Sequence, residues 1–237
     1  MSGTAFDIFA DAAAEVPDRD YLVVPPSAAK DYAPEGVTLT YAQGLARIEA
    51  WRAAYAAAGY GHGHRVALLL ENRPEFFDHW LALNALGVSV VPVNPHYRSE
   101  ELTYLLDHSD AVLAVSLPER IGDLEAAAAT LGRPLPVIAP DAPPPAAVTQ
   151  APLTGAPDDA TECALMYTSG TTGKPQGCIL SNEYYAMLGG WYANQGGLCP
   201  IETGGERLLT PLPLFHMNPM ACSFIGMLLT RNTTIQL

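Results

Sequence analysis

The chain has 237 residues, enough to bury one substantial core or two smaller ones. Hydrophobic residues make up 49% and charged residues 16%, which suits a globular α/β protein and excludes wholesale disorder. A net charge of -13, from 25 acidic and 12 basic residues, opposes phosphate backbones and anionic membrane surfaces, so nucleic acid is excluded as a partner.

Only two of the basic residues are lysines, Lys30 and Lys174, and the arginines are scattered. The four cysteines, Cys163, Cys178, Cys199 and Cys222, have neither zinc-site spacing nor the density of a disulfide scaffold, which leads us to expect buried thiols in a reducing compartment. Residues 1–14 carry no basic leader, and no apolar run approaches the roughly 20 residues of a membrane span. A cytoplasmic, soluble protein without a membrane span is the expectation.

Hydrophobic periodicity then alternates between helix and strand. Thr40 and Gln43 form a capping box that opens a helix with Leu45, Ile48, Trp51, Ala54 and Tyr55 on one face, and Gly59 is placed to stop it. A buried strand follows at 65–70, then a helix entered through Pro74 and running towards Leu86. Gly87 precedes a β-branched strand at 88–93, Ser99 caps a helix through Leu102, Leu105 and Leu106, and a strand follows at 111–115. A helix at about 121–131 and a strand at 136–139 close a first α/β subdomain, 1–140.

Residues 141–159 are rich in Pro and Ala and read as a surface loop or linker. The alternation resumes over 160–237, the start of a second α/β subdomain, with strands at 163–168 and 178–181, a helix from about Asn182, a strand near 208–210, an apolar helix near 220–229 and a strand at 233–237. Repeated strand–helix–strand units of this length predict an α/β fold of mostly parallel sheets flanked by helices. A chain that stops within an apolar strand is expected to be truncated.

Residues 167–177 are the most informative stretch. Gly170, Gly173 and Gly177 permit positive φ and close approach to a ligand, and successive amides in such a loop line a concavity for anions. Thr168, Ser169, Thr171 and Thr172 add hydroxyls, and Lys174 adds a mobile positive charge, all suited to phosphate oxygens. A proline after the lysine excludes a Walker A loop. An ordinary polar turn has the same composition.

The order Thr168-Ser169-Gly170-Thr171-Thr172-Gly173-Lys174-Pro175 resembles the phosphate-binding signature of the adenylate-forming (AMP-binding) superfamily, in the variant of the acyl-CoA synthetases. Leu39-Thr40-Tyr41 resembles that family's first core motif, and residues 83–87 with 91–95 resemble its second; we assign both to the scaffold. Residues 211–218, Pro-Leu-Pro-Leu-Phe-His-Met-Asn, resemble the motif that borders the acyl pocket, and the stretch from Pro213 to Met220 looks most like the small-acid ligases of the crotonobetaine and carnitine type, with medium-chain and aryl acids open as alternatives. Gln176 stands where the family usually has a second lysine.

The resemblance implies a partial N-terminal domain of an enzyme of acyl or fatty acid metabolism, one that activates a small carboxylic acid with ATP and Mg²⁺ and passes it to coenzyme A. It implies that Thr168, Ser169, Gly170, Thr171, Thr172, Gly173 and Lys174 hold the β- and γ-phosphates. His216 would stand near the carboxylate, as a gate between acyl and nucleotide sites, with Phe215 and Met217 as walls. No metal ligand is assigned, and a second copy of the chain is a candidate partner. The family's adenine-binding strand, acidic Mg²⁺ residue, ribose aspartate and C-terminal lysine domain have no counterpart here, so the chain alone is expected to be nearly inactive. A non-catalytic nucleotide- or protein-binding module and a luciferase-like or reductase-associated adenylation domain stay open.

Overall fold

The computed structural model describes residues 3–168, 175–198 and 200–237. Its first helix, α1 (Ala5–Glu15), is opened by a reciprocal cap: Asp7 N–H donates to Thr4 Oγ1 at 3.1 Å and Thr4 N–H to Asp7 Oδ2 at 2.7 Å. Two further amides of that first turn are satisfied from a distance, Ala5 N–H by Asn182 Oδ1 and Phe6 N–H by Asn84 Oδ1, both at 3.0 Å. β1 (Asp20–Val24) and β2 (Val37–Thr40) follow as an antiparallel pair. α2 (Tyr41–Ala57) has the expected capping box, with Gln43 N–H on Thr40 Oγ1 at 3.2 Å, and it ends before Gly59 at a φ of 90°.

The units that follow lie close to their expected bounds: β3 (Arg65–Leu69), α3 (Pro74–Asn84), β4 (Ser89–Pro92), α4 (Ser99–His108), β5 (Leu113–Ser116), α5 (Ile121–Ala128) and β6 (Val137–Ile138). One detail differs. Ser99 is the first helical residue of α4, and Arg98 takes the cap position, its N–H donating to Glu101 Oε2 at 2.9 Å. The remaining elements are β7 (Glu162–Thr168), β8 (Gln176–Ser181), α6 (Asn182–Ala193) and β9 (Arg207–Thr210), then a π-helical stretch, Asn218–Phe224, that runs into α7 (Ile225–Leu229) and β10 (Thr233–Gln236).

The strands form two sheets, a six-stranded one in the order β6-β5-β3-β4-β7-β8 and a four-stranded one in the order β2-β1-β10-β9. All neighbours pair in parallel except β7 with β8 and β1 with β2. The fold is thus α/β with parallel-rich sheets flanked by helices. Both sheets take strands from either side of the loop 141–159.

One apolar cluster serves both sheets. Phe224 lies 4.3 Å, centroid to centroid, from Phe77 and 5.8 Å from Trp80 of α3, and 6.4 Å from Tyr21 of β1. Trp80 and Phe77 are fully buried, and burial of such a ring stabilises by about 1.5–3 kcal/mol. α6 and α7 approach at Gly189, where a Cβ would stand 2.6 Å from Ile225 Cγ2, so only glycine permits that contact. Cys163 and Cys222 are buried as expected, and burial pushes the Cys163 thiol up to about 12. Cys178 departs from the expectation: it lies on the edge strand β8, where it and the adjacent Ile179 are both exposed. Among the described residues no helix is long and apolar enough to cross a membrane.

Candidate functional site

The parallel strands β5, β3, β4 and β7 end together along one edge of the six-stranded sheet. After β4 the chain returns past β3 to β5, whereas β7 is followed by β8 on its other side, so the neighbours β4 and β7 lead away in opposite directions. Such a reversal leaves a crevice at the carboxyl ends, where open parallel sheets bind ligands. A cleft of about 370 Å³ opens here. Pro92, Asn94 and Tyr97 line it from the end of β4, Tyr167 and Thr168 from the end of β7, and Phe215 and His216 from the segment before the π-helical stretch.

Thr168 is the last residue of β7 and is exposed at this edge. Ser169, Gly170, Thr171, Thr172, Gly173 and Lys174 lie outside the described residues. The residues on either side of them are held from α4. Tyr104 Oη donates to the Pro175 carbonyl at 3.0 Å, and Tyr167 Oη meets His108 Nδ1 at 2.7 Å. Burial raises the Tyr167 phenol well above its ordinary value. Gln176 opens β8 opposite Thr168 and is exposed.

His216 is exposed, its ring centroid 4.4 Å from that of Phe215, and its N–H closes a turn on the Pro213 carbonyl at 3.0 Å. Phe215 is half-buried in the cleft wall, whereas Met217 packs against the core and does not line the cleft. Of the site residues expected from the sequence, Thr168 and His216 therefore share one cleft. Pro92 and Asn94, assigned to the scaffold above, line it too, and Tyr97 was not singled out at all. The Arg120 guanidinium orders this stretch by donating to the Pro95 carbonyl and, at 2.8 Å, to the Tyr97 carbonyl. The signal that would have found these residues is positional: they follow a parallel strand directly.

A larger cavity of about 490 Å³ opens at the opposite, amino edge around His62, Ser89, Asp158 and Thr161. No expected site residue lines it. The loop 141–159 runs past it, tied by Leu153 N–H to the His62 carbonyl at 3.1 Å and by Thr149 Oγ1 to His64 Nε2 at 3.2 Å. Among the described residues no group of three His, Cys, Asp or Glu side chains is placed to hold a metal ion.

The sequence matches the profile of the AMP-binding enzymes over residues 9–236. It is 32% identical over 225 residues to the sulfoacetate–CoA ligase of Cupriavidus necator, covering 92% of this chain and 42% of that protein. It is 29% identical over 203 residues to the crotonobetaine/carnitine–CoA ligase of Citrobacter koseri, covering 78% of this chain and 38% of that protein. The fold superposes on the crystal structure of the N-terminal domain of FACL13 from Mycobacterium tuberculosis with a TM-score of 0.79 at 23% identity, covering 99% of this chain and 57% of that one. The chain spans about two fifths of the length of these curated relatives.

Proposed function

Because the chain belongs to the AMP-binding enzyme family, we propose that it is the N-terminal portion of an acid–thiol ligase that activates a small carboxylic acid with ATP and transfers it to coenzyme A. The observation that carries this reading is the meeting, in one cleft, of Thr168 at the entrance to the glycine and hydroxyl loop with Phe215 and His216. Phosphate-binding and carboxylate-binding groups must face each other for the two substrates to react.

In the first half-reaction a carboxylate oxygen bonds to the α-phosphorus of ATP and the bond to the bridging oxygen breaks, releasing pyrophosphate. In the second, the coenzyme A thiol bonds to the acyl carbon, AMP leaves with the former carboxylate oxygen, and the thiol proton is lost. A carboxylate is a weak nucleophile, so the rate depends on positioning and on neutralising phosphate charge. Mg²⁺ supplies part of that neutralisation, and no residue of this chain is assigned to it. Thr168 is the phosphate side of the cleft, and the sequence that follows it through Lys174 is the part we assign to the phosphates; His216 and Phe215 are the carboxylate side.

ATP–pyrophosphate exchange by the full-length enzyme, driven in turn by a panel of small carboxylic acids, tests the proposal. Exchange should appear with at least one acid, and Lys174→Ala should lower it by about 10²- to 10³-fold, the usual loss of one charge-stabilising donor. The 237-residue chain alone should give no exchange, and acyl transfer should require coenzyme A. Exchange absent with every acid, or unchanged in Lys174→Ala, sinks the reading; nucleotide binding without exchange would indicate a binding module.

A further inference from the structure

Asn72 lies between β3 and α3, directly after Glu71, whose φ of 55° places a non-glycine residue in the left-handed region. A backbone of that kind persists where its surroundings over-determine it. Here the surroundings are specific. Asn72 Nδ2 donates to the Leu212 carbonyl at 3.2 Å and to the Leu237 carbonyl at 2.9 Å, and its Oδ1 accepts from Leu214 N–H at 2.9 Å. The residue is itself fixed, since its carbonyl accepts from Tyr32 Oη at 3.0 Å and the neighbouring Arg73 guanidinium covers the Tyr32 ring at 4.4 Å.

The carboxamide therefore serves Leu212 and Leu214 as a neighbouring strand would, offering a donor to one residue and an acceptor to the next but one. His216 follows two residues later, inside the turn closed on Pro213. Downstream, the same segment is anchored through Phe224, buried against Phe77.

We propose that Asn72 is a positioning residue for the carboxylate side of the cleft: it hangs residues 212–216 from the carboxyl end of β3 and so sets where Phe215 and His216 stand. What those residues do rests on the acid-activating reading above; that Asn72 holds them does not. The side chain must be a carboxamide of this length. Alanine offers neither bond, and aspartate turns an acceptor towards the Leu212 carbonyl, which can only repel it.

Hydrogen exchange on the full-length enzyme decides the matter without turnover. In Asn72→Ala the amides of 214–217 should exchange about tenfold faster, as expected for the loss of hydrogen bonds of ordinary net strength. Asn72→Asp should loosen them further, while amides of the two sheets keep wild-type rates. Unchanged protection at 214–217, or faster exchange throughout both sheets, overturns the proposal. In the full-length enzyme Asn72→Ala should raise the KM for the carboxylate about tenfold and leave that for ATP within about twofold. Equal changes in both constants also overturn it. A wild-type enzyme silent with every acid would remove the ligase reading, and the hydrogen-exchange result would still decide the role of Asn72.

Discussion

At the amino end of the six-stranded sheet, charged side chains bond one another. Arg65 Nε and Nη2 each donate to an oxygen of Glu162 at 2.8 Å, tying the start of β3 to the start of β7, while Nη1 reaches the Ser109 carbonyl at 3.2 Å. At the carboxyl end side chains bond the backbone, Asn72 donating to the Leu212 carbonyl and accepting from Leu214 N–H, Arg120 donating to Tyr97 and Tyr104 to Pro175, and the exposed Thr168 and His216 stay at the cleft. The same strands thus end in a brace at one edge and in a held but open surface at the other. Stability should concentrate in the brace and the helix layer, ligand recognition at the carboxyl edge.

The largest test of that division lies in α3. His79 is fully buried, with Nε2–H donating to the Pro140 carbonyl at 2.9 Å and Nδ1 accepting from Tyr55 Oη at 2.8 Å. Burial lowers its pKa from 6.5 to about 4. The unfolded chain therefore takes up a proton at a pH where the folded one does not, so stability is full above about 6.5 and is lost as pH falls through about 4, by roughly 3 kcal/mol. Asp78, whose carboxyl is raised by burial against the pull of Arg47, acts in the opposite sense. Urea midpoints at pH 7.5 and 5.0 should differ less in His79→Gln than in the wild type, with exchange activity per folded molecule unaffected. Identical pH slopes in the two proteins would remove this account of the helix layer.

A smaller effect is expected at the brace. Glu162→Gln should cost about 1–2 kcal/mol, because charge-assisted bonds of a half-buried pair are replaced by weaker ones. Urea denaturation measures it. A variant that kept full stability and lost pyrophosphate exchange would break the division between the two edges.

The smallest effect belongs to the residues beside the phosphate loop. Tyr104→Phe removes the donor to Pro175 and should raise the KM for ATP about two- to fivefold, a cost of no more than about 1 kcal/mol, with little change in the urea midpoint. Steady-state kinetics at saturating acid would show it, and an ATP constant equal to that of the wild type would mean that this contact does not tune the loop.

Much of this was legible in the sequence wherever the signal is local. The Thr40 and Gln43 box, the stop at Gly59 and the strand after Gly87 need only neighbouring residues, and they occur where expected. α1 escaped notice although its signal is local too: Thr4 and Asp7 spell a capping box, and Phe6, Phe9, Ala12 and Ala13 gather on one buried face. β1 and β2 escaped for a deeper reason. β1 pairs in parallel with β10, Leu22 opposite Thr234, and no periodicity near residue 20 reports a partner at the far end of the chain. The interleaving of strands across 141–159 is hidden in the same way.

At the site, the loop and His216 were legible as ordered strings. Pro92 and Asn94 were read as packing residues, since a β-branched run looks alike whether its end is capped by core or opens on a crevice. Asn72 gave no signal, as asparagine is one of the ordinary residues of turns and connecting loops. Only the parallel order of the strands shows which ends meet.

The most direct test of the central claim is a structure of the full-length enzyme with a non-hydrolysable acyl-adenylate analogue. The account predicts that the analogue lies at the carboxyl edge, bounded by Thr168, Asn94 and His216. An analogue seated instead in the amino-edge cavity around His62 and Thr161 would contradict it.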